Sequence, residues 1–201
     1  YDGVTWTPIT PLGATTPGRR REHAWVYDPG RGEALLYAGI QDTVGTLADL
    51  WTWDGARWTR LEEEAEPGAR TGCDAVYDVL ADRIVFYGGG GVAPRERLTT
   101  WTWDDDVWTA VSSWDGPDGY SGGGMTVIPE QQTILVVGGG NGHSTSSDET
   151  WQWDEDGWRQ DDLATPPTAF EAFDITYDES EGAVLGFGGL PFPIQIPVRD
   201  T

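Results

Sequence analysis

The segment Trp51-Thr52-Trp53-Asp54-Gly55-Ala56-Arg57-Trp58 defines a pattern that recurs along the chain. It returns as Trp101-Thr102-Trp103-Asp104 followed by Trp108, and as Trp151-Gln152-Trp153-Asp154 followed by Trp158, so successive copies start 50 residues apart. Ten of the 12 tryptophans occupy these positions or the N-terminal counterpart, Trp6. Self-similarity at this period is typical of a protein built by stacking copies of one supersecondary unit.

Two apolar runs accompany each copy. The first runs are His23–Asp28, Cys73–Asp78, Gly123–Pro129 and Phe173–Asp178, and the second are Ala34–Tyr37, Ile84–Tyr87, Ile134–Val137 and Val184–Phe187. Short runs rich in β-branched and aromatic residues, bounded by turn residues, predict strands. Each unit is therefore predicted to contain four strands: the first run, the second run, Trp-x-Trp, and a strand that starts at the last Trp. No amphipathic helical stretch of useful length interrupts them, so we expect an all-β fold.

Glycines and tryptophans indicate how such units pack. The second run ends at Gly39, Gly88-Gly89, Gly138-Gly139 or Gly188-Gly189, where the backbone is free to adopt positive φ or to approach a neighbour closely. Residues two apart on a strand share a face, so each Trp-x-Trp pair is expected to cover the neighbouring unit. One buried aromatic removes about 150–250 Å² from water.

These features resemble the Kelch repeat, in which paired glycines follow an apolar strand and precede an aromatic-Asp turn and a further Trp. The segment from Pro17 to His23 also resembles the Pro-x-x-Arg-x-x-His opening of Kelch units. The second unit keeps Arg70 but has Cys73 in the histidine position, and the later units have Tyr120 and Phe170 in the arginine position. The resemblance implies a β-propeller, and it implies fold more strongly than function, because Kelch propellers include binding platforms and a few enzymes.

The repeat predicts one domain over residues 1–201. Its units span about 10–61, 62–111, 112–161 and 162–201, the last completed by 1–9. Tyr1-Asp2-Gly3 followed by Trp6 matches Trp53-Asp54-Gly55 followed by Trp58, so we expect the N-terminal segment to supply the outer strand of the last blade. That closure would give a four-bladed propeller and remove two exposed strand edges. The alternative is an excerpt of a six- or seven-bladed propeller.

Charge excludes some partners. The formal net charge is −22, and all 12 basic residues are arginine. An acidic surface repels phosphate backbones and anionic lipid, so we expect neither nucleic acid nor membrane partners. No apolar run of about 20 residues predicts membrane insertion. Cys73 is the only cysteine, which excludes an intrachain disulfide. We expect a secreted or extracellular protein of bacterial type.

A candidate ligand site follows from the 50-residue spacing of Arg20, Arg70, Tyr120 and Phe170. We expect these side chains, with His23 beside them, to surround the mouth of the propeller channel. Arginine binds carboxylates bidentately and stacks on aromatic rings, so the group is suited to an acidic or planar ligand. The alternative is that the four side chains merely fill a narrow axis. Loops of differing chemistry after the glycines add Arg95, His143 and Phe192 as candidate contacts, because variable loops on a regular scaffold often determine specificity.

Catalysis is less favoured. The only histidines are His23 and His143, whereas a zinc site needs three or four converging ligands. We therefore predict no catalytic residues and no cofactor, with weak calcium binding possible at Asp104–Asp106 and Asp154–Gly157 if these are not simply hairpin turns. The leading expectation is a non-enzymatic binding or assembly module for a protein segment or glycan. The alternatives are an enzyme acting on carbohydrate or a small acid, and a structural subunit of a larger chain or assembly.

Overall fold

The computed structural model describes residues 3–13, 15–91, 98–112, 116–117, 121–140, 146–154, 156–167, 172–189 and 194–196. Within these residues the secondary structure consists of antiparallel β-sheets, with one short 3-10 helix at Pro129–Gln131 and no α-helix. The all-β prediction is confirmed.

Three sheets have four strands each. Sheet 1 contains β1 (Ala24–Asp28), β2 (Glu33–Tyr37), β5 (Leu50–Trp53) and β6 (Trp58–Glu62), with a separate hairpin of β3 (Ile40–Gln41) and β4 (Gly45–Thr46). Sheet 2 contains β7 (Thr71–Asp78), β8 (Arg83–Gly90), β9 (Thr100–Asp104) and β10 (Val107–Ser112). Sheet 3 contains β11 (Gly124–Ile128), β12 (Thr133–Val137), β13 (Thr150–Asp154) and β14 (Gly157–Gln160). The strand order in each sheet is the order along the chain, as the repeat predicts.

The register of the strands repeats together with the sequence. Ala24 pairs with Tyr37, and the same pairing recurs as Asp74 with Tyr87, Gly124 with Val137, and Asp174 with Phe187. On the outer side, Trp53 pairs with Trp58, Trp103 with Trp108, and Trp153 with Trp158. A position in one sheet can therefore be compared directly with the position 50 residues later.

Sheet 4 departs from the expected arrangement. Its strands are β15 (Phe173–Asp178), β16 (Ala183–Gly188) and β17 (Ile194–Ile196). Ile196 pairs with Val184 as Trp153 pairs with Ile134, so β17 occupies the place of Trp-x-Trp, where the sequence analysis assigned no strand. A strand so close to β16 along the chain closes only a short loop, which costs little entropy.

The N-terminal segment also differs from the expectation. Residues 3–13 include no strand, although an outer strand of the last blade was expected to start at Trp6. The amide of Leu12 instead donates a hydrogen bond of 2.8 Å to the carbonyl of Ala56 in sheet 1.

Neighbouring sheets share three apolar cores. Tyr37 of sheet 1 is buried with Phe86 and Trp103 of sheet 2. The next core joins sheets 2 and 3 around Tyr87, Met125, Val136 and Trp153, and the third joins sheets 3 and 4 around Val137, Ile175 and Val184. Trp103 and Trp153, the second Trp of their Trp-x-Trp pairs, are each buried against the preceding sheet, as expected.

The last Trp of a copy reaches the sheet before its own. The indole Nε1 of Trp108 donates to Glu62 in sheet 1 at 2.9 Å, and its ring centroid lies 5.3 Å from that of Tyr37. Trp158 in turn donates to Thr100 in sheet 2 at 2.8 Å, and its ring lies 4.8 Å from Tyr87. We call each of these sheet-to-sheet contacts a tryptophan seam. Sheets 1 to 3 are therefore joined by the same kind of contact.

The two ends of the stack are less complete. The first strands touch in series, β1 with β7, β7 with β11 and β11 with β15, and in the described residues no contact of similar extent joins β15 to β1. Phe187 stands at the position of Tyr37 and Tyr87, yet it is 83% exposed. Trp58, which has no preceding sheet in the stack, packs on Trp25 and Trp53 of its own sheet.

Candidate functional site

Arg20 is anchored within its own chain. Its guanidinium forms a bidentate pair with Asp49, at 2.6 Å from Nη1 and 3.0 Å from Nη2, and Nη1 also donates to the carbonyl of Ala38 at 2.9 Å. Asp49 accepts a further bond of 2.6 Å from the indole of Trp51. Burial opposes ionisation of Asp49, but the bonds from Arg20 and Trp51 outweigh it and hold the pKa of the carboxyl below its usual value. Only 3% of the Arg20 side chain is exposed.

Arg70 occupies the equivalent place in the second unit. Its Nη1 donates to the carbonyl of Gly88 at 2.7 Å, and its Nε donates to the carbonyl of Pro67 at 2.9 Å. Gly88 lies 50 residues after Ala38, so both arginines bind the carbonyl at the same position of the repeat. The backbone turns there through positive φ, with φ of 60° at Ala38 and 78° at Gly88. Each arginine therefore anchors the segment that leads into the first strand of its own sheet. A role of these arginines in ligand binding stays a prediction.

His23 and Cys73 occupy matching positions near these arginines. His23 is half-buried, its Nδ1 has no hydrogen-bond partner among the described residues, and burial together with the charge of Arg20 lowers its pKa. Cys73 is buried, and burial raises the pKa of its thiol to about 12. A thiol so protonated is a poor nucleophile at neutral pH.

The remaining predicted contacts lie outside the described residues. These are Tyr120, Phe170, Arg95, His143 and Phe192. Their convergence on a common face with Arg20, Arg70 and His23 therefore stays a prediction.

Acidic side chains on the first strands of two sheets form a second candidate site. Asp74 and Asp174 occupy equivalent positions in sheets 2 and 4, and each accepts the amide of the next residue, at 2.8 Å from Ala75 and 2.9 Å from Ile175. Burial, and to a lesser extent the charge of Asp174, raises the pKa of Asp74 to about 7. The sequence analysis did not select these residues, although their 100-residue separation is two repeats.

A cleft opens between sheets 2 and 3 at the end of the strands opposite to Arg20 and Arg70. At this end β7 turns into β8 and β11 turns into β12. The volume of the cleft is about 410 Å³. The guanidinium of Arg83 lies 5.3 Å from the ring centroid of Trp153 and 3.3 Å from the carboxylate of Asp78. The sequence analysis passed over this end of the sheets because its turns carry no residue pattern that indicates a ligand.

Metal ligands do not converge in the part of the chain that the structure describes, where no group of three or more His, Cys, Asp and Glu side chains is placed to hold an ion. The acidic hairpin tips use carboxylates in their own turns: Asp154 accepts the amide of Asp156 at 2.9 Å, and Asp54 accepts those of Ala56 and Arg57. These bonds to Ala56 and Arg57 lower the pKa of Asp54. Weak calcium binding at the tips stays a prediction.

Among the described residues, no helix has the length and apolar character required to cross a bilayer. No protein-family model matches the chain, and no curated protein matches it. The Kelch resemblance therefore depends on the motif residues themselves.

Proposed function

We propose that the chain is a Kelch-like, four-bladed β-propeller that acts as a non-enzymatic binding or assembly module. The observation that carries this proposal is the contrast between constant seams and variable loops. Trp108 and Trp158 join successive sheets by the same kind of contact, whereas the loops after the glycine pairs differ in chemistry from unit to unit. A rigid scaffold that presents variable loops is suited to recognition.

Closure of the ring is part of this proposal. Phe187 of sheet 4 takes the position that Tyr37 and Tyr87 occupy beneath a tryptophan of the following sheet, and Trp58 of sheet 1 is the tryptophan that would follow it in a ring. Contact between them would form a third tryptophan seam and cover a large exposed apolar side chain.

The proposed binding face is the end of the sheets where the glycine pairs lie. Arg20 and Arg70 support this face from within, so the loop residues Arg95, His143 and Phe192 are the better candidates for direct contact with a protein segment or glycan. A secreted location and a place in a larger chain or assembly belong to the same proposal.

Binding to a peptide array and a glycan array tests the proposed function. We expect wild-type protein to bind a defined peptide or glycan, and we expect Arg95→Ala, His143→Ala or Phe192→Ala to lower the affinity about tenfold or more, as truncation of an interface anchor does. Thr59→Ala, at an exposed position of β6, is the control and should bind as wild type. Absence of binding on both arrays, or full affinity in all three loop variants, would contradict the proposal.

One observation favours the enzyme alternative. Burial raises the pKa of Asp74 to about 7, and a carboxyl with a raised pKa is suited to general acid catalysis. Hydrolysis of p-nitrophenyl glycosides that is lost in Asp74→Asn but retained in Asp174→Asn would support an enzyme of this kind over a binding module.

A further inference from the structure

The cleft between sheets 2 and 3 has a smaller counterpart between sheets 1 and 2. The counterpart has a volume of about 200 Å³, against about 410 Å³ for the cleft. The larger value falls within the range of about 300–1,000 Å³ that is usual for small-molecule sites, and the smaller one falls below it. Two grooves with the same place in the repeat therefore differ by a factor of two in volume.

The two grooves differ at the position of Arg31. In the smaller groove, Arg31 of sheet 1 forms an ion pair of 3.1 Å with Asp106 of sheet 2, and its guanidinium lies 4.4 Å from the ring centroid of Trp103. In the larger cleft, the position 50 residues after Arg31 is Ala81, while the counterpart of Asp106 is retained as Asp156. Ala81 cannot form the ion pair that Arg31 forms with Asp106, and the arginine that reaches the tryptophan across this cleft is Arg83 instead.

The lining of the cleft combines polar groups with an apolar rim. The guanidinium of Arg83 is held between Asp78 and Trp153, while Gln131 and Gln132 supply amide groups. At the rim, Val79 is 52% exposed and Leu80 is 59% exposed. Carboxylate, amide and guanidinium groups beside an apolar surface match a ligand that has hydroxyl groups around an apolar ring face.

Charge narrows the class of ligand. Arg83 is already paired with Asp78, which leaves Asp154 and Asp156 to give the cleft a negative potential. The net charge of the chain is −22, which adds to the repulsion of anions. The cleft therefore repels an acidic sugar, whereas it does not repel a neutral sugar.

We infer that this cleft is a binding site for a neutral pyranose unit of a glycan. The inference rests on the proposed binding function, and it assigns that function a second contact surface, at the opposite end of the sheets from the glycine pairs. Ala81 is a specificity-determining position of this site because its methyl group leaves space that the Arg31 side chain occupies in the smaller groove.

Saturation-transfer NMR tests the inference with a panel of methyl hexopyranosides and with methyl glucuronide as the acidic probe. We expect wild-type protein to bind at least one neutral hexoside and to bind methyl glucuronide at least about tenfold more weakly. Ala81→Arg should weaken binding of the neutral hexoside about tenfold or more, because the introduced guanidinium is placed to pair with Asp156 as Arg31 pairs with Asp106.

Glu181→Arg is the matched control, since residue 181 has the same place in the first hairpin of sheet 4. The amide of Glu181 donates to Asp178 at 3.3 Å, and the amide of Ala81 donates to Asp78 at the same distance. This control variant should bind the hexoside as wild type does, and thermal unfolding should show that both variants are folded.

The possible results distinguish failure of the cleft assignment from failure of the proposed binding function. Failure of every neutral hexoside to bind overturns the inference, as does preference for the acidic probe or unchanged binding in Ala81→Arg. If the arrays show binding that depends on Arg95, His143 or Phe192 while Ala81→Arg binds the hexoside normally, the proposed function survives and the cleft assignment fails.

Discussion

At the residue scale, Arg20 and Arg70 show how equivalent positions acquire a common structural task. Each guanidinium donates to the backbone carbonyl at the same position of the repeat, at 2.9 Å to Ala38 and 2.7 Å to Gly88. The 50-residue spacing identifies the two arginines as equivalent, but it does not reveal this bond, because the carbonyl is presented only when the backbone turns through positive φ. The sequence could therefore predict where the side chains lie in the repeat and not what they bind.

Gly89 provides a test of the turn at which these strands end. A Cβ at Gly89 would lie 2.9 Å from the Cβ of Cys73, and its φ is 94°. Gly89→Ala should therefore lower the free energy of unfolding by about 2 kcal/mol or more, since steric overlap is added to the cost of a left-handed backbone. Urea unfolding provides the measurement.

Gly55→Ala is the matched control for this substitution. Gly55 has the same φ of 94°, but no atom lies within 4 Å of the position of its Cβ. The control should lose only about 1 kcal/mol, the backbone cost alone. Equal losses in the two variants would show that Gly89 is not required for close packing.

Asp74 predicts a dependence of stability on pH. Its pKa in the folded protein is about 7, above the ordinary value of 3.8, chiefly because of burial. The folded state therefore binds the proton more tightly than the unfolded state between about pH 4 and about pH 7, so this group removes stability as the pH rises through that range. Asp74→Asn should abolish its contribution and stabilise the protein more at about pH 8 than at about pH 5.

The comparison is made by urea unfolding of wild type and Asp74→Asn at the two pH values. Asp174→Asn serves as the control, because Asp174 is exposed and contributes less to the pKa of Asp74 than burial does. A gain for Asp74→Asn that is the same at both pH values would show that ionisation of Asp74 is not the cause.

At the scale of elements, the order and the register of the strands follow closely from the sequence in sheets 1 to 3. Alternation of apolar residues places one face of each strand in a core, and a slip of one residue would expose that face. This is why Trp53, Trp103 and Trp153 pair with Trp58, Trp108 and Trp158 in the same way. The tryptophan seams were predictable only in part, since the partners Glu62 and Thr100 lie on other sheets.

Sheet 4 shows where prediction from the repeat fails. The search for Trp-x-Trp passed over Ile194-Gln195-Ile196, although alternating isoleucines are strong strand formers. The repeat also predicted that the N-terminal segment supplies the outer strand of the last blade, whereas residues 3–13 lie outside the sheets. Residue identity at the marker positions mattered less than hydrophobic alternation.

At the scale of the whole molecule, tryptophan seams join sheets 1 to 3, an apolar core joins sheets 3 and 4, and the proposed contact between Trp58 and Phe187 would close the stack into a ring. Three apolar cores join four sheets in series. Phe187 is exposed and Trp58 packs on its own sheet. A tryptophan seam between sheets 4 and 1 would bring these two residues together. An excerpt of a larger propeller would use these two residues against additional blades instead.

A double-mutant cycle between Trp58 and Phe187 tests this ring closure most directly. Trp58→Leu, Phe187→Leu and the double variant are compared by urea unfolding, with Trp108→Leu and Tyr37→Leu as the reference cycle across an observed seam. If the ring is closed, we expect a coupling free energy of about 0.5–1.5 kcal/mol in both cycles, the range for aromatic pairs in contact. Coupling in the reference cycle with none between Trp58 and Phe187 would contradict ring closure.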